Sequence, residues 1–219
     1  MALSKRQQGR TNKSGAHVSP VVATMSITLN GVGAGHHVTH EQPFGDLPQD
    51  TFYRWMNETP DENRDAFDAI VGAGAYVMGR NMFGPITGEW TGDWQGWWGT
   101  DPPYHAPVFV LTHYPRESIV MAGGTTFHFV TDGVGAALER ARDAAGDRPV
   151  HIAGGPSTTN AYLAAGLVDE LLLNINPIVI DHGLRIFDGV GPLRLEQVSV
   201  QSASLVTHGD ITRTCGCWI

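Results

Sequence analysis

The sequence predicts an α/β protein: a largely parallel sheet with helices on both faces, closed by a C-terminal antiparallel hairpin. Three observations predict it. Apolar, β-branched runs alternate with stretches of helical period; two of those runs end in glycine just before a helix; and 219 residues at 42% hydrophobic content suffice for one sizeable core. We expect one domain over residues 18–219 behind a polar, basic, disordered tail at 1–17.

The elements follow in order. Val21 to Leu29 reads as a buried strand stopped by Asn30-Gly31, and Gly31, Gly33 and Gly35 then make a flexible loop. From Asp46 to Ala73 the spacing is helical. Phe52, Trp55 and Met56 share one face, Phe67, Ile70 and Val71 another, and Thr59-Pro60 separates the two segments. Ala75 to Met78 is a short strand closed by Gly79-Arg80. Pro85 to Pro107 carries four tryptophans without a period and reads as a long aromatic loop. Val108–Leu111, Ser118–Met121 and Phe127–Val130 are strands. Thr131 or Asp132 then caps a helix through Arg142 with Val134, Leu138 and Ala141 on one face. Val150 to Ala153 is a strand, Pro156 to Ala165 a helix with Gly166 as its left-handed cap, and Leu167 to Val179 a strand. Two extended stretches end the chain, one of them around Ser204 to His208.

The totals exclude several classes. With 14 basic against 22 acidic residues and a net charge of -8, a general affinity for nucleic acid or an anionic membrane is not expected. The two cysteines, Cys215 and Cys217, give neither a disulfide framework nor a zinc spacing, and 1–17 has no apolar core of a signal peptide. A cytoplasmic protein acting on a small molecule is the expectation. His36 and His40 stand four residues apart, but the glycines before them favour a loop and no carboxylate motif surrounds them, so no metal is expected. The tryptophans serve either as a lid on a flat substrate or as packing under the loop and against a partner in a homodimer.

Two places suit an anion. At Ala153-Gly154-Gly155 a strand leads into a helix, which places unhindered N–H groups at the positive end of the helix dipole, with Pro156 suited to the first turn and Ser157 and Thr158 as hydroxyl donors. A tight strand-to-helix turn requires the same two glycines, and spacing leaves the choice open. At Gly79-Arg80 an arginine opens the turn after a strand, where it either meets a phosphate or lies on the surface.

Taken together, MSITLNGVGAG, YVMGRNMFG, FVLTH, FVTDGVGAALERA and above all HIAGGPSTTNAYLAAGLVDELLLNINPIVIDHG with LRIF after it resemble the dihydrofolate reductase-like fold. Within it, the chain resembles stand-alone relatives of the reductase domain of riboflavin biosynthesis. The matching pieces run in one order from Val21 to Phe187. The resemblance implies an NADPH-dependent reductase of a small pterin-, pyrimidine- or flavin-related compound. Gly79, Arg80, Asn81 and Met82 would meet the cofactor phosphates at the start of a short helix, and Thr112 and His113 would lie by the adenosine. Thr131 would line the adenine, and Gly154, Gly155, Pro156, Ser157 and Thr158 would hold the pyrophosphate. Substrate would sit by Met25, Asn30, Tyr53 and the tryptophan loop, its proton coming from water, Tyr53 or a loop histidine.

The chain departs from that family's pattern twice. Asn30 stands where an SLDG-like motif carries aspartate, and an amide cannot act as a carboxylate. Asp181-His182-Gly183 replaces a small Gly-x-Gly turn, and a carboxylate there opposes a cofactor phosphate unless Asp181 points away or a protonated His182 offsets it. These departures support the alternative of a non-catalytic nucleotide- or metabolite-binding protein.

Overall fold

The computed structural model describes residues 19–214. The expected tail at 1–17 and the two thiols Cys215 and Cys217 lie outside the described residues.

The first strand, β1 (Val21–Thr28), is followed by a short strand β2 (Val32–Ala34), helix α1 (Arg54–Glu58), a single tight turn at Pro60–Glu62 and helix α2 (Arg64–Val71). Next come β3 (Ala75–Gly79), a one-turn helix α3 (Arg80–Phe83), β4 (Pro107–Leu111), β5 (Ile119–Val120), β6 (Thr126–Val130) and α4 (Gly133–Ala145). The chain closes with β7 (Val150–Ile152), α5 (Pro156–Ala164), β8 (Glu170–Asn176), β9 (Leu184–Arg185), β10 (Leu195–Ser202) and β11 (Thr207–Arg213). Nine strands form one sheet in the order β10-β11-β8-β1-β7-β3-β4-β6-β5, and β2 pairs with β9 separately. The inner pairings from β8 to β6 are parallel, and the hairpin of β10 and β11 joins antiparallel to β8. The predicted α/β class, parallel sheet and closing hairpin are all present.

Alternation along the strands splits the core between the two faces. Val21, Ala23, Met25 and Ile27 of β1 pack with Val77, Ile152 and Leu171 under α4 and α5, which contribute Leu138, Ala141, Tyr162 and Leu163. On the other face Tyr76, Met78, Val108, Val110 and Phe127 are covered by Trp90, Trp94 and Trp98. The long loop holding those tryptophans has neither helix nor strand from 84 to 106. Its aromatic content therefore serves as one wall of the protein's own core. Among the described residues no helix is long and apolar enough to cross a membrane.

Several local expectations are corrected. Gly31, Gly33 and Gly35 do not form a flexible loop: β2 contains Gly33 and is flanked by the other two, and a Cβ on Gly35 would lie 2.7 Å from the Phe44 carbonyl oxygen. Asp132 stands at the start of α4, but its carboxylate takes an ion pair with Arg140 at 2.8 Å and makes no capping bond. Helix α2 buries none of its residues, and Phe67 remains 40% exposed, because the sheet beneath it meets polar side chains from β8, β10 and β11. Ser204 lies in the turn between β10 and β11, where its N–H and hydroxyl both donate to Glu62 at 2.8 Å. β8 is shorter than Leu167 to Val179, starting at Glu170 after the helix cap and ending at Asn176.

One polar contact fastens α1 and α2 to this sheet. His208 of β11, 8% exposed, places Nε2 2.7 Å from Asn63 Oδ1 and Nδ1 2.7 Å from Asn174 Oδ1 of β8. Asn63 Nδ2 donates to the Thr59 carbonyl at 2.6 Å, which fixes its Oδ1 as the acceptor for His208 Nε2–H. Burial holds the His208 pKa below its ordinary value, against an opposing pull from the Asp210 charge.

Candidate functional site

Parallel strands bring their carboxyl ends to one edge, and ligands of such sheets bind there. Here β3 ends at Gly79, β4 at Leu111, β6 at Val130 and β7 at Ile152. The Gly79 N–H donates to the Gly154 carbonyl at 2.9 Å, and Ala153 N–H to Val77 at 2.8 Å, so β3 and the segment leading into α5 continue side by side past their strands. Gly79 has no room for a side chain: a Cβ there would lie 2.3 Å from Thr158 Oγ1. Gly155 differs, since a Cβ on it would meet nothing within 4 Å. The cradle before α5 is therefore open on the side where the helix's first N–H groups emerge, from a helix of nine residues that begins at Pro156. Ser157 is exposed beside it, Thr158 half-buried, and the Gly154–Gly155 peptide is cis.

Arg80 joins this junction to the end of β4. Its Nη1 donates to Thr112 Oγ1 at 3.0 Å and its Nε to the Ile86 carbonyl at 2.9 Å. Its Nη2 is buried with no acceptor among the described residues. Burial lowers the Arg80 pKa from its usual value, and the Arg116 charge adds to that. α3 is only one turn long, so the short-helix dipole expected from the sequence is not available and Arg80 itself carries the positive charge. Asn81 is exposed, whereas Met82 packs into the cluster under the tryptophans. His113 and Thr131 are exposed just past β4 and β6.

The expected substrate residues make separate sets of contacts. Met25 is 5% exposed; a Cβ on Gly154 would lie 3.2 Å from its sulfur and one on Gly33 2.8 Å from its methyl, so it fills the floor beneath the cradle. Tyr53 stacks at 5.7 Å on Phe44. Asn30 has both ends of its amide engaged: Oδ1 accepts from Thr28 Oγ1 at 2.7 Å and Ile180 N–H at 3.3 Å, and Nδ2 donates to the Ile180 carbonyl at 2.6 Å. It ties the β1 turn to the segment after β8. Asn30→Asp is expected to destabilise the protein by ~1–3 kcal/mol, since a carboxylate would face that carbonyl with no donor. A thermal or denaturant melt checks it, and an unchanged midpoint would mean that the tie carries no weight.

Asp181 turns out to be 96% exposed and bonded to its neighbour, its carboxylate 2.8 Å from His182 Nδ1. That bond is the main reason that Asp181 titrates below and His182 above its ordinary value. His182 Nε2 also approaches Asp46 at 3.9 Å, and Asp46 accepts the His36 N–H at 2.7 Å. The turn at 181–183 thus fastens the 35–46 loop, whose His40 ring stands 5.0 Å from Trp94 of the tryptophan loop. His36, His37 and His40 lie in that loop, and among the described residues no group of three His, Cys, Asp or Glu can hold a metal.

The sequence singled out Trp90 only as one of the loop tryptophans, and did not single out Tyr114 or Arg116. Arg80 Cζ lies 3.5 Å and Arg116 Cζ 4.8 Å from the Trp90 ring, and the Trp90 Nε1 donates to the Tyr114 carbonyl at 2.8 Å. The signal for Arg116 was the one that pointed to Arg80, an arginine shortly after an apolar strand.

A family model described as the RibD C-terminal domain matches residues 20–208. No curated protein matches the chain. Among solved structures, a protein described as a putative riboflavin biosynthesis protein from Shewanella sp. PV-4 superposes with a TM-score of 0.62 at 20% identity, covering 89% of this chain and 99% of that one. A diaminohydroxyphosphoribosylaminopyrimidine deaminase/5-amino-6-(5-phosphoribosylamino)uracil reductase from Thermotoga maritima gives 0.56 at 13% identity, covering 90% of this chain and 57% of that one. Dihydrofolate reductase from Enterococcus faecalis, complexed with NADP(H) and RAB-propyl, gives 0.56 at 14% identity, with 89% and 96% covered. These likenesses show the dihydrofolate reductase-like fold.

Proposed function

The chain belongs to the RibD C-terminal domain family, and from that premise we propose that it is an NADPH-dependent reductase. Its substrate on this reading is a small heteroaromatic compound related to pterins, pyrimidines or flavins, reduced by hydride transfer. One observation carries the reading: an arginine with a buried, unsatisfied N–H stands beside an open glycine cradle at the carboxyl edge of the sheet. A polyanionic dinucleotide suits both parts, in a protein whose overall charge is -8.

When bound, NADPH supplies the hydride. The chain's own residues do the rest. The Gly154–Gly155 backbone and the first turn of α5, with Ser157 and Thr158, hold the pyrophosphate. Arg80 and Thr112 hold a second phosphate, and His113 and Thr131 lie toward the adenosine. Met25 forms the floor under the reacting ring. The 35–46 loop and Trp94, which meet through His40, exclude water from above. Water delivers the substrate proton, with Tyr53 or a loop histidine as the alternative.

The test is an NADPH titration followed by thermal melting. Ligand at a hundred times its dissociation constant is expected to add about 2.7 kcal/mol of stability. A flat response at millimolar NADPH would overturn the reading. A protein that holds a nucleotide or flat metabolite without reducing it is the second reading, favoured by the full engagement of the Asn30 amide with backbone and with Thr28. Binding of NADPH with no oxidation across a panel of pterins, flavins and pyrimidines would select it.

A further inference from the structure

The Arg80 and Arg116 guanidiniums share one aromatic ring and little else. Arg80 Cζ stands 3.5 Å from the Trp90 centroid; Arg116 Cζ stands 4.8 Å from it and 5.3 Å from Phe129 of β6. Each retains a buried donor, Arg80 Nη2 and Arg116 Nη1, with no acceptor among the described residues. No carboxylate reaches salt-bridge distance of either among those residues, and Asp93 acts on Arg116 only from further away. An indole face offsets positive charge, but it offers nothing in the guanidinium plane to accept those N–H groups. A phosphate does both at once.

The attachment of Trp90 contrasts with that of its neighbour. Trp94 is locked: its Nε1 donates to the Phe83 carbonyl at 3.0 Å, and its indole lies 2.1 Å from where a Gly84 Cβ would be. Trp90 also has one hydrogen bond, to the Tyr114 carbonyl at 2.8 Å, and edge contacts at 5.9 Å to Phe83 and 4.9 Å to Phe129, but its closest neighbours are the two guanidiniums themselves. It also lies where the chain has no ladder or helix bonds to hold it.

We infer that Trp90 is a displaceable plug: its indole fills the space between Arg80 and Arg116 that a phosphate group takes when a phosphorylated ligand binds. The inference rests on the reading of this edge as a phosphate site and adds its gate and its second cation. Binding swings the indole toward solvent, transfers both unsatisfied donors to phosphate oxygens and leaves Trp94 as the fixed point of the loop.

The experiment titrates the wild type and Trp90→Phe separately with NADPH and with inorganic phosphate, reading tryptophan emission and its quenching by acrylamide. In the wild type, either ligand should red-shift part of the emission and raise its quenchable fraction, and Trp90→Phe should lack that change. With a weaker competitor in the gap, Trp90→Phe should also bind NADPH about tenfold more tightly, as removal of a blocking state requires. The wild-type quenching needs no variant, so it decides the matter even where Trp90→Phe fails to fold. NADPH binding with unchanged quenching, or equal or weaker binding by a folded Trp90→Phe, overturns the plug and leaves the reductase reading standing. A phosphate response without NADPH binding supports the plug and removes the cofactor reading. Failure of both ligands to bind removes both.

Discussion

Gly155→Val is expected to fold normally and to lose NADPH affinity by about 100-fold or more. Gly155 has φ -76° and ψ -166°, a backbone region open to any residue, and a Cβ there meets nothing within 4 Å. Stability should therefore stay within about 0.5 kcal/mol of the parent, as for other substitutions that disturb no contact. The added methyls instead fill the approach to the N–H groups at the start of α5. Two hydrogen bonds to a charged group, at roughly 1.5–3 kcal/mol each, account for a loss of that size. Paired melting and NADPH titration check it. Unaltered affinity would mean that no phosphate lies against this turn. Gly79→Ala makes the contrasting case, because its Cβ, 2.3 Å from Thr158 Oγ1, disturbs the fold before any ligand arrives.

His208→Leu is expected to cost ~2–4 kcal/mol of stability, since it leaves polar groups of both Asn63 and Asn174 buried without their partner. For a chain of this size that corresponds to a fall in melting temperature of roughly 5–15 °C. The pH dependence has a definite sign. Burial depresses the folded-state pKa of His208 below 6.5, so the unfolded chain takes up its proton first as pH falls. The stability linked to this shift is fully present above the unfolded value and is lost progressively below it. Denaturant melts from pH 8 down to pH 5 should show that slope in the wild type and a shallower one in His208→Leu. Parallel slopes would assign the acid sensitivity elsewhere.

The sheet and its order of elements were legible because β1, β3, β4 and β7 are buried on both faces and read as apolar runs bounded by glycine or proline. Gly166 as the end of α5 was legible for a similarly local reason, and it adopts the left-handed conformation, with φ +69°. β2 was not legible, since three residues rich in glycine carry no period and pair with β9 from far along the chain. Helix α2 shows the limit of periodicity: Phe67, Ile70 and Val71 fall on a helical face, yet nothing local indicates that the strands beneath present Asn174, Gln201 and His208. At the candidate site, the strand-to-helix junctions at Gly79 and Gly154 were legible because close backbone approach is a local demand, while spacing left open whether either meets an anion. The roles of Trp90 and Arg116 depend on a loop folding back over β3, β4 and β6, which no short window of sequence contains. Asn30 and Asp181 drew notice in the sequence by their residue type alone. The partner of Asn30, Ile180, emerged only from the pairing of distant turns, whereas His182 beside Asp181 could be read from the sequence.

The parallel pairings of β1 carry a consequence for how the molecule is made. Val21 pairs with Val150 and Val22 with Glu170, so a strand near the beginning of the chain finds both neighbours only after more than a hundred further residues exist. At about 5–20 residues per second, a ribosome leaves β1 without a partner for roughly 5–25 s. The segment that waits is among the most apolar in the protein, with Val21 and Ala23 wholly buried once the sheet closes. Nascent chains of this protein therefore pass through a stage in which their central strand is exposed, and their yield depends on what shields it until β7 and β8 arrive.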